Sequence, residues 1–194
     1  MLGIDVKTNT STMKKIALLF AFAFAGLISK AQIYIGTDKT VISFFSHTAM
    51  EDIAATNKIC KAVVLKADSG KFVIQVSNKA FEFKSGLMQE HFNENYIESD
   101  KYPYCKFSGK ILEKINYAKN GTYKITMDGI LDVHGVKKPR KIDGTLTVNG
   151  DEVTVDSKFM VSMKDHDIKI PEAVGNKLTD SIELTVKAVL AKKK

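Results

Sequence analysis

The chain has 194 residues, 44% of them hydrophobic, with 29 basic and 22 acidic side chains for a net charge of +7. That is one domain's worth of sequence, with enough apolar content to bury a core. A single basic residue is an arginine, Arg140, and the lysines are scattered rather than gathered on one element, which argues against nucleic-acid readout and for the solvated faces of a sheet.

The first element is a leader. Met13-Lys14-Lys15, the apolar run Ile16–Ile28 and the small-x-small site Ser29-Lys30-Ala31 ahead of Gln32 have the layout of a secretory signal peptide. The run is shorter than the about 20 residues a bilayer span requires, and no second apolar stretch follows, so no stable transmembrane anchoring is expected. No cysteine stands at the cleavage site to carry a lipid. Residues 1–12 are polar and read as an upstream extension, the start being either Met1 or Met13. The expected organisation is therefore residues 1–31 as extension plus signal, the signal proper being 13–31, cut after Ala31. A single domain over 32–194 follows, periplasmic or secreted. It carries 25 basic and 21 acidic residues, a net +4.

Beyond the leader, period-two alternation dominates. Strand-like segments fall near 33–36, 41–50, 58–67, 71–77, 79–84, 104–115, 122–133, 141–148, 153–163 and 181–191. In Lys71–Ser77 the residues Phe72, Ile74 and Val76 share a face, and Phe81 and Phe83 alternate with Glu82 and Lys84. Between these pairs and the later strands, Leu87–Tyr96 breaks the period. Met88, Phe92 and Tyr96 fall four apart with Leu87 beside them, which predicts a short amphipathic helix across one mouth of the sheet, ended before Tyr102-Pro103-Tyr104. Alternation then resumes through Ile125, Met127, Gly129, Leu131 and Val133, through Ile142, Leu146 and Val148, and through Val153, Val155, Phe159 and Val161. It closes with Ile182, Leu184 and Val186.

Asp68-Ser69-Gly70, Asn120-Gly121 and Asn149-Gly150 mark tight turns, so consecutive strands are neighbours. Eight or more half-buried antiparallel strands fit a barrel or a sandwich, and closure into a barrel removes the edges a long meander would expose. Parity points Phe72, Ile74, Phe81, Phe83, Phe107, Ile125, Met127 and Phe159 inward, with Leu87, Met88 and Phe92 covering the same interior. Gly129 reads as a small inward position that a larger side chain could fill.

Cys60 and Cys105 could be bridged after export, but both lie in apolar strand-like stretches that suit free buried thiols, and no CxxC motif suggests redox or zinc chemistry. Of the histidines, His134 precedes Gly135 in a turn and reads as a hydrogen-bonding corner. His47 reads as a head-group contact or a backbone partner, and His91 as solvated. Asp165-His166-Asp167 has ligand-type residues but no further His or Cys at metal spacing, so no metal site is expected. No Gly-x-Ser-x-Gly elbow, Gly-rich phosphate loop or His-Glu-x-x-His helix is present. No catalytic residue and no cofactor is assigned.

Phe92–Phe107, with Tyr102-Pro103 after the helix, and above all Leu131-Asp132-Val133-His134-Gly135-Val136-Lys137-Lys138-Pro139 resemble the YceI-like family of small exported lipid-binding proteins, over roughly Thr37 to Leu190. The resemblance implies an all-β, lipocalin-like antiparallel barrel of about eight strands with a short helix near one mouth. It also implies an apolar cavity holding a long-chain isoprenoid or other amphiphilic lipid, without catalysis. The inward set, Phe72, Ile74, Phe81, Phe83, Leu87, Met88, Phe92, Phe107, Ile125, Met127 and Phe159, would then line the ligand. The first strands depart from the family pattern, the segment to Cys60 being short and carrying Met50-Glu51-Asp52. Two alternatives stand beside this reading: a packed structural or stress-related envelope protein without ligand, and a hydrolase using His134 or His166 with a nearby carboxylate. Pairing of two barrels into a homodimer is left open.

Overall fold

The computed structural model describes residues 32–47, 52–60, 62–170 and 180–194. The expected signal peptide and its expected cleavage site lie outside the described residues, as do the last three residues of the segment expected over 41–50. The strands are β1 (Ile33–Gly36), β2 (Val41–His47), β3 (Asp52–Asn57), β4 (Ala62–Lys66), β5 (Lys71–Ser77), β6 (Glu82–Phe83), β7 (Tyr104–Ile111), β8 (Gly121–Val133), β9 (Val136–Asn149), β10 (Glu152–Ser162) and β11 (Ser181–Lys192). A helix, α1 (Gly86–His91), runs on as a π-helical turn over Phe92–Tyr96.

Hydrogen-bonded order β1-β4-β5-β7-β8-β9-β10-β11, with β11 returning to β1, makes a closed antiparallel barrel of eight strands. Strands β2, β3 and β6 prolong β1, β4 and β5 past a break in each. The long β11 shows the arrangement, pairing with β1 through Leu190–Lys192 and with β2 through Glu183–Lys187. Likewise β3 pairs with β2 and with β6. The breaks divide the barrel into a closed half, ringed by continuous ladders, and a split half.

A polar side chain with 0% exposure stands at each break: Thr40, Asn57 and Asn78. Each replaces hydrogen bonds that the interrupted ladder no longer makes. The Thr40 hydroxyl donates to Val189 O at 3.1 Å and accepts from Val189 N at 3.1 Å. The Asn57 side chain donates to Ser77 O at 3.0 Å and accepts from Ile59 N at 3.1 Å. The Asn78 amide donates to Tyr102 O at 2.6 Å while its backbone N–H donates to Pro103 O at 3.0 Å.

The closed half is a packed core. Tyr34, Leu146 and Val153 are 0% exposed and Leu190 1%, and burying each such side chain contributes about 1.5–3 kcal/mol. The remaining void among Val63, Leu65, Phe72 and Leu190 measures only about 20 Å³.

Several boundaries differ from the sequence reading. The segment expected over 58–67 is a strand only from Ala62 to Lys66, and β3 precedes it unforeseen. In β3 the buried positions are Ala55 and Asn57, too small or too polar to register as alternation. The segment expected over 79–84 is a 3-10 turn at Asn78–Ala80 followed by the two-residue β6. The one expected over 104–115 ends at Ile111. The one expected over 141–148 begins at Val136, because β9 stays paired with β8 up to the Val133–Val136 pair. Between those two valines, His134 and Gly135 have φ of +53° and +76°, so two residues with left-handed backbone close the hairpin.

Gly129 corrects the expectation of a fillable inward position. It faces Gly109 across β7 and β8, and a Cβ on it would stand 2.4 Å from Ser108 O and 2.9 Å from Gly109 Cα. The neighbouring backbone occupies the space, so this pair lets two strands approach closely instead of bordering a void.

Candidate functional site

Above the three breaks the interior opens into a cavity of about 430 Å³. Its walls are almost wholly apolar. The inner faces of the long strands β8 and β10 contribute Met127, Leu131, Val133, Val155, Phe159 and Val161, and β11 adds Ile182, Leu184 and Val186. The broken strands contribute Ile42, Phe44, Ile53, Ile74, Val76 and Phe83.

The cover is aromatic. Phe44 lies 5.4 Å from Phe81, 5.5 Å from Phe83 and 5.5 Å from Phe92 by ring centroids, and Phe83 lies 5.0 Å from Phe92. Offset and edge-on pairs of this kind contribute about 0.5–1.5 kcal/mol each beyond the area they bury. They hold α1 against β2 and β6 where, among the described residues, β6 has no further strand beside it. Leu87, 60% exposed, and the exposed His91 stand on the rim, while Met88 and Phe92 turn toward the cavity.

Nine of the eleven residues expected to face a ligand line this cavity: Ile74, Phe81, Phe83, Leu87, Met88, Phe92, Phe107, Met127 and Phe159. The other two do not. Phe72 packs in the closed half, its ring 5.0 Å from that of Phe107, and Ile125 is buried in the same packed core. Both have the inward parity, but parity does not report height along the barrel axis. Phe44 and Leu184 are wall residues that were not singled out. Leu184 carries the same alternation signal as Phe159. Phe44 is hidden by its neighbour, since either ring of Phe44-Phe45 could face inward; Phe44 is 7% exposed and Phe45 39%.

The end of α1 is fastened to the turn of the β8–β9 hairpin. His134 Nε2 meets Glu98 Oε2 at 2.6 Å, and its Nδ1 donates to His166 O at 3.1 Å. The Tyr102 ring lies 4.3 Å from the imidazole, and a Cβ on Gly135 would fall 2.6 Å from a Tyr102 ring carbon. His166, itself buried, donates from Nδ1 to Val136 O at 3.1 Å. His134 is thus the hydrogen-bonding corner read from its place before a glycine. Neither ring is on the cavity wall. The His47 Nδ1 meets Asp52 Oδ1 at 2.5 Å in an exposed pair, and His47 is not among the residues of the cavity wall.

Both cysteines are free. Burial pushes the Cys60 thiol up to about 11. Cys105, on the cavity wall, is pushed up to about 12 by desolvation, only partly offset by hydrogen bonds from the Asn78 side chain and the His134 backbone. At neutral pH both are thiols, not nucleophilic thiolates. Burial also raises Tyr96, whose ring lines the cavity.

Residues 34–190 match the YceI-like domain family, and the chain belongs to that family. No protein with a curated description matches its sequence. Among solved structures it is similar to BcnA of Burkholderia cenocepacia, at 15% identity and a TM-score of 0.66, covering 79% of this chain and 98% of that one. It is also similar to a polyisoprenoid binding domain from Saccharophagus degradans implicated in plant cell wall breakdown, at 9% identity and a TM-score of 0.68, covering 84% and 100%. A third is a YCEI protein of Campylobacter jejuni, at 17% identity and a TM-score of 0.54, covering 77% and 84%. At these identities the likeness concerns the fold.

Proposed function

We propose that this member of the YceI-like family is an exported, non-catalytic binding protein that holds the tail of a long-chain amphiphile, a polyisoprenoid or fatty-acid-like lipid, in the split half of its barrel. The observation that carries the reading is the apolar cavity of about 430 Å³ beside a closed half whose void is about 20 Å³. Ligand pockets commonly measure about 300–1,000 Å³. The likeness to a polyisoprenoid binding domain of Saccharophagus degradans points the same way.

A barrel packed solid, the structural or stress-related alternative, would have no reason for a void of this size in one half only. The hydrolase alternative needs an imidazole facing the substrate. His134 is engaged by Glu98 and by the His166 carbonyl, and His166 is buried against β9. Export by a leader over 13–31 and a mature domain over 32–194 belong to the same reading, in which the carrier works in the periplasm or outside the cell.

Native mass spectrometry of the protein purified from its own cell envelope tests this. The expected species begins at Gln32 and retains a lipid of defined mass, and added isoprenoid raises the melting temperature with concentration, because a ligand of the folded state alone stabilises it by mass action. Lipid-free protein whose melting temperature no isoprenoid or fatty acid shifts would refute the carrier role.

A further inference from the structure

The barrel wall is not laddered throughout between β9 and β10. Their pairing runs from Asn149–Glu152 to Thr145–Asp156 and stops there. Beyond that point β9 pairs only with β8, and β10 only with β11, among the described residues. The seam starts at Gly144, where a Cβ would stand 2.6 Å from Asp156 O. Side chains alone bridge it: Ser157 Oγ donates to Asp143 O at 2.6 Å, the Arg140 guanidinium donates to Met160 O at 2.5 Å, and His166 Nδ1 closes the far end on Val136 O at 3.1 Å. Pro139, which has no N–H for a ladder, lies in this one-sided stretch, as proline in sheets does.

Register identifies the β9 side chains on the interior face of the seam. Met127, Leu131 and Val133 of β8 are buried, and they stand opposite Ile142, Lys138 and Val136; Arg140 stands opposite Gly129 in the same row. Where the neighbouring strands carry leucine, valine and phenylalanine, β9 carries two cations, the exposed Lys138 and the half-buried Arg140, which stand at the seam and not on the cavity wall. Across the seam stand Phe159 and Val161, both on the cavity wall, flanking the Met160 carbonyl that Arg140 reaches. Neither Lys138 nor Arg140 has a carboxylate within ion-pair distance among the described residues, whereas the outward Lys141 of the same strand pairs with Asp128 at 3.9 Å. Met160 O engages one nitrogen of the Arg140 guanidinium, and a planar fork of this kind suits an oxyanion.

We propose that this seam seats an anionic head group, of the phosphate or carboxylate class, belonging to the amphiphile whose tail lies in the cavity. Arg140 grips the oxyanion and Lys138 adds a second charge. The inference rests on the cavity reading and narrows it from amphiphiles in general to anionic ones.

Binding of farnesyl phosphate and of farnesol, compared by calorimetry, tests it. These probes share a tail that suits the cavity and differ in charge. The unaltered protein is expected to prefer the phosphate by about tenfold or more, equivalent to about 1.4 kcal/mol or more, and to lose part of that preference in high salt. Arg140→Gln with Lys138→Gln is expected to bring the two affinities within about twofold, while Arg140→Lys, which keeps the charge, retains most of the difference. Should the double variant fold poorly, Lys138→Gln alone, at an exposed residue, is expected to remove part of the preference. Equal binding of both probes by the unaltered protein, or a preference that survives the double substitution, overturns the head-group site while leaving the cavity intact. Binding of neither probe overturns the cavity reading and the seam with it. Displacement of farnesyl phosphate by equimolar inorganic phosphate would make the seam a free-anion site and refute the lipid head group.

Discussion

In the closed half of the barrel, eight strands meet ladder to ladder around side chains such as Tyr34, Leu146 and Val153, leaving a void of about 20 Å³. In the split half the same strands continue, but three are broken, β6 has shrunk to two residues, a helix stands beside it, and the interior holds about 430 Å³ of space. The two halves share strand parity and residue chemistry. What separates them is whether the wall is held by continuous backbone pairing or by individual side chains: Thr40, Asn57 and Asn78 at the breaks, Ser157 and Arg140 at the seam, and Glu98 with His134 beneath the helix. Where the ladders are continuous, side chains fill the interior. Where side-chain bridges replace them, the wall surrounds open space.

The largest expected effect separates the halves directly. Leu146→Ala, at a residue with 0% exposure, should cost about 2–5 kcal/mol in urea unfolding, since it removes buried methyls and leaves a new cavity. Leu184→Ala, on the half-buried wall of an existing cavity, should cost about 1 kcal/mol, since it only enlarges that space. Equal costs would mean that the split half is packed in solution like the closed half.

Next come the breaks. Asn57→Ala removes both hydrogen bonds of a side chain that is 0% exposed, to the part-buried Ser77 carbonyl and Ile59 N–H, and should cost about 1–3 kcal/mol. Thr40→Val keeps the shape, removes both bonds to Val189 and should cost a similar amount. Amide hydrogen exchange sharpens the comparison: both variants should speed exchange in β2 and β3 before it rises in β8 and β9. Uniform acceleration would show that the barrel opens as one unit and that the breaks are not boundaries.

The comparison also explains what was legible in the sequence. The barrel was, because Lys71–Ser77, Tyr123–Val133 and Val153–Val161 alternate over most of their length and the turns between strands contain Asp-Ser-Gly and Asn-Gly. The breaks were not. They rest on buried Asn and Thr, which in a sequence read as surface or turn residues, and β3 holds its place with Ala55 and Asn57. Nine of the eleven residues chosen by parity reach the cavity wall, yet Phe72 and Ile125 have the same parity and sit in the packed half. Height along the barrel depends on strand tilt and on where the breaks fall, and a period of two contains neither. The seam was hidden for the same reason: Lys137–Lys141 has no alternation, and only pairing with β8 makes it a strand.

A smaller effect is expected where α1 is fastened. Glu98→Gln removes the charge facing His134 but keeps a hydrogen-bonding oxygen, and the carboxylate is 41% exposed, so global stability should fall by only about 0.5–1 kcal/mol. Exchange in Gly86–Ile97 should rise by about two- to fivefold, the same free energy read locally. An unchanged rate there would mean that the aromatic contacts of Phe44, Phe83 and Phe92 alone hold the cover.

The smallest effect at working pH is zero at neutrality and grows only in alkali. Cys60 is raised to about 11 and Cys105 to about 12, from 9.0 in an unfolded chain, and in both the first cause is burial. A raised folded value means that the native state keeps its proton where the unfolded chain has already released it. The stability these thiols contribute is therefore fully present below about pH 9 and is lost as pH climbs from there through about 11 and 12. Tyr117, half-buried beside Tyr34 and raised to about 12 from 10.0 chiefly by desolvation, adds to the same decline from pH 10 upward. Denaturation midpoints should be level from about pH 7 to about pH 8.5 and should fall steadily above about pH 9.5. Cys105→Ala should flatten part of that fall. Because Cys105 stands on the cavity wall while Tyr117 packs against Tyr34, the substitution also assigns the decline to one half of the barrel. If the slope is unchanged in Cys105→Ala, water already reaches that thiol in solution, and the cavity around it is wetter than its apolar walls imply.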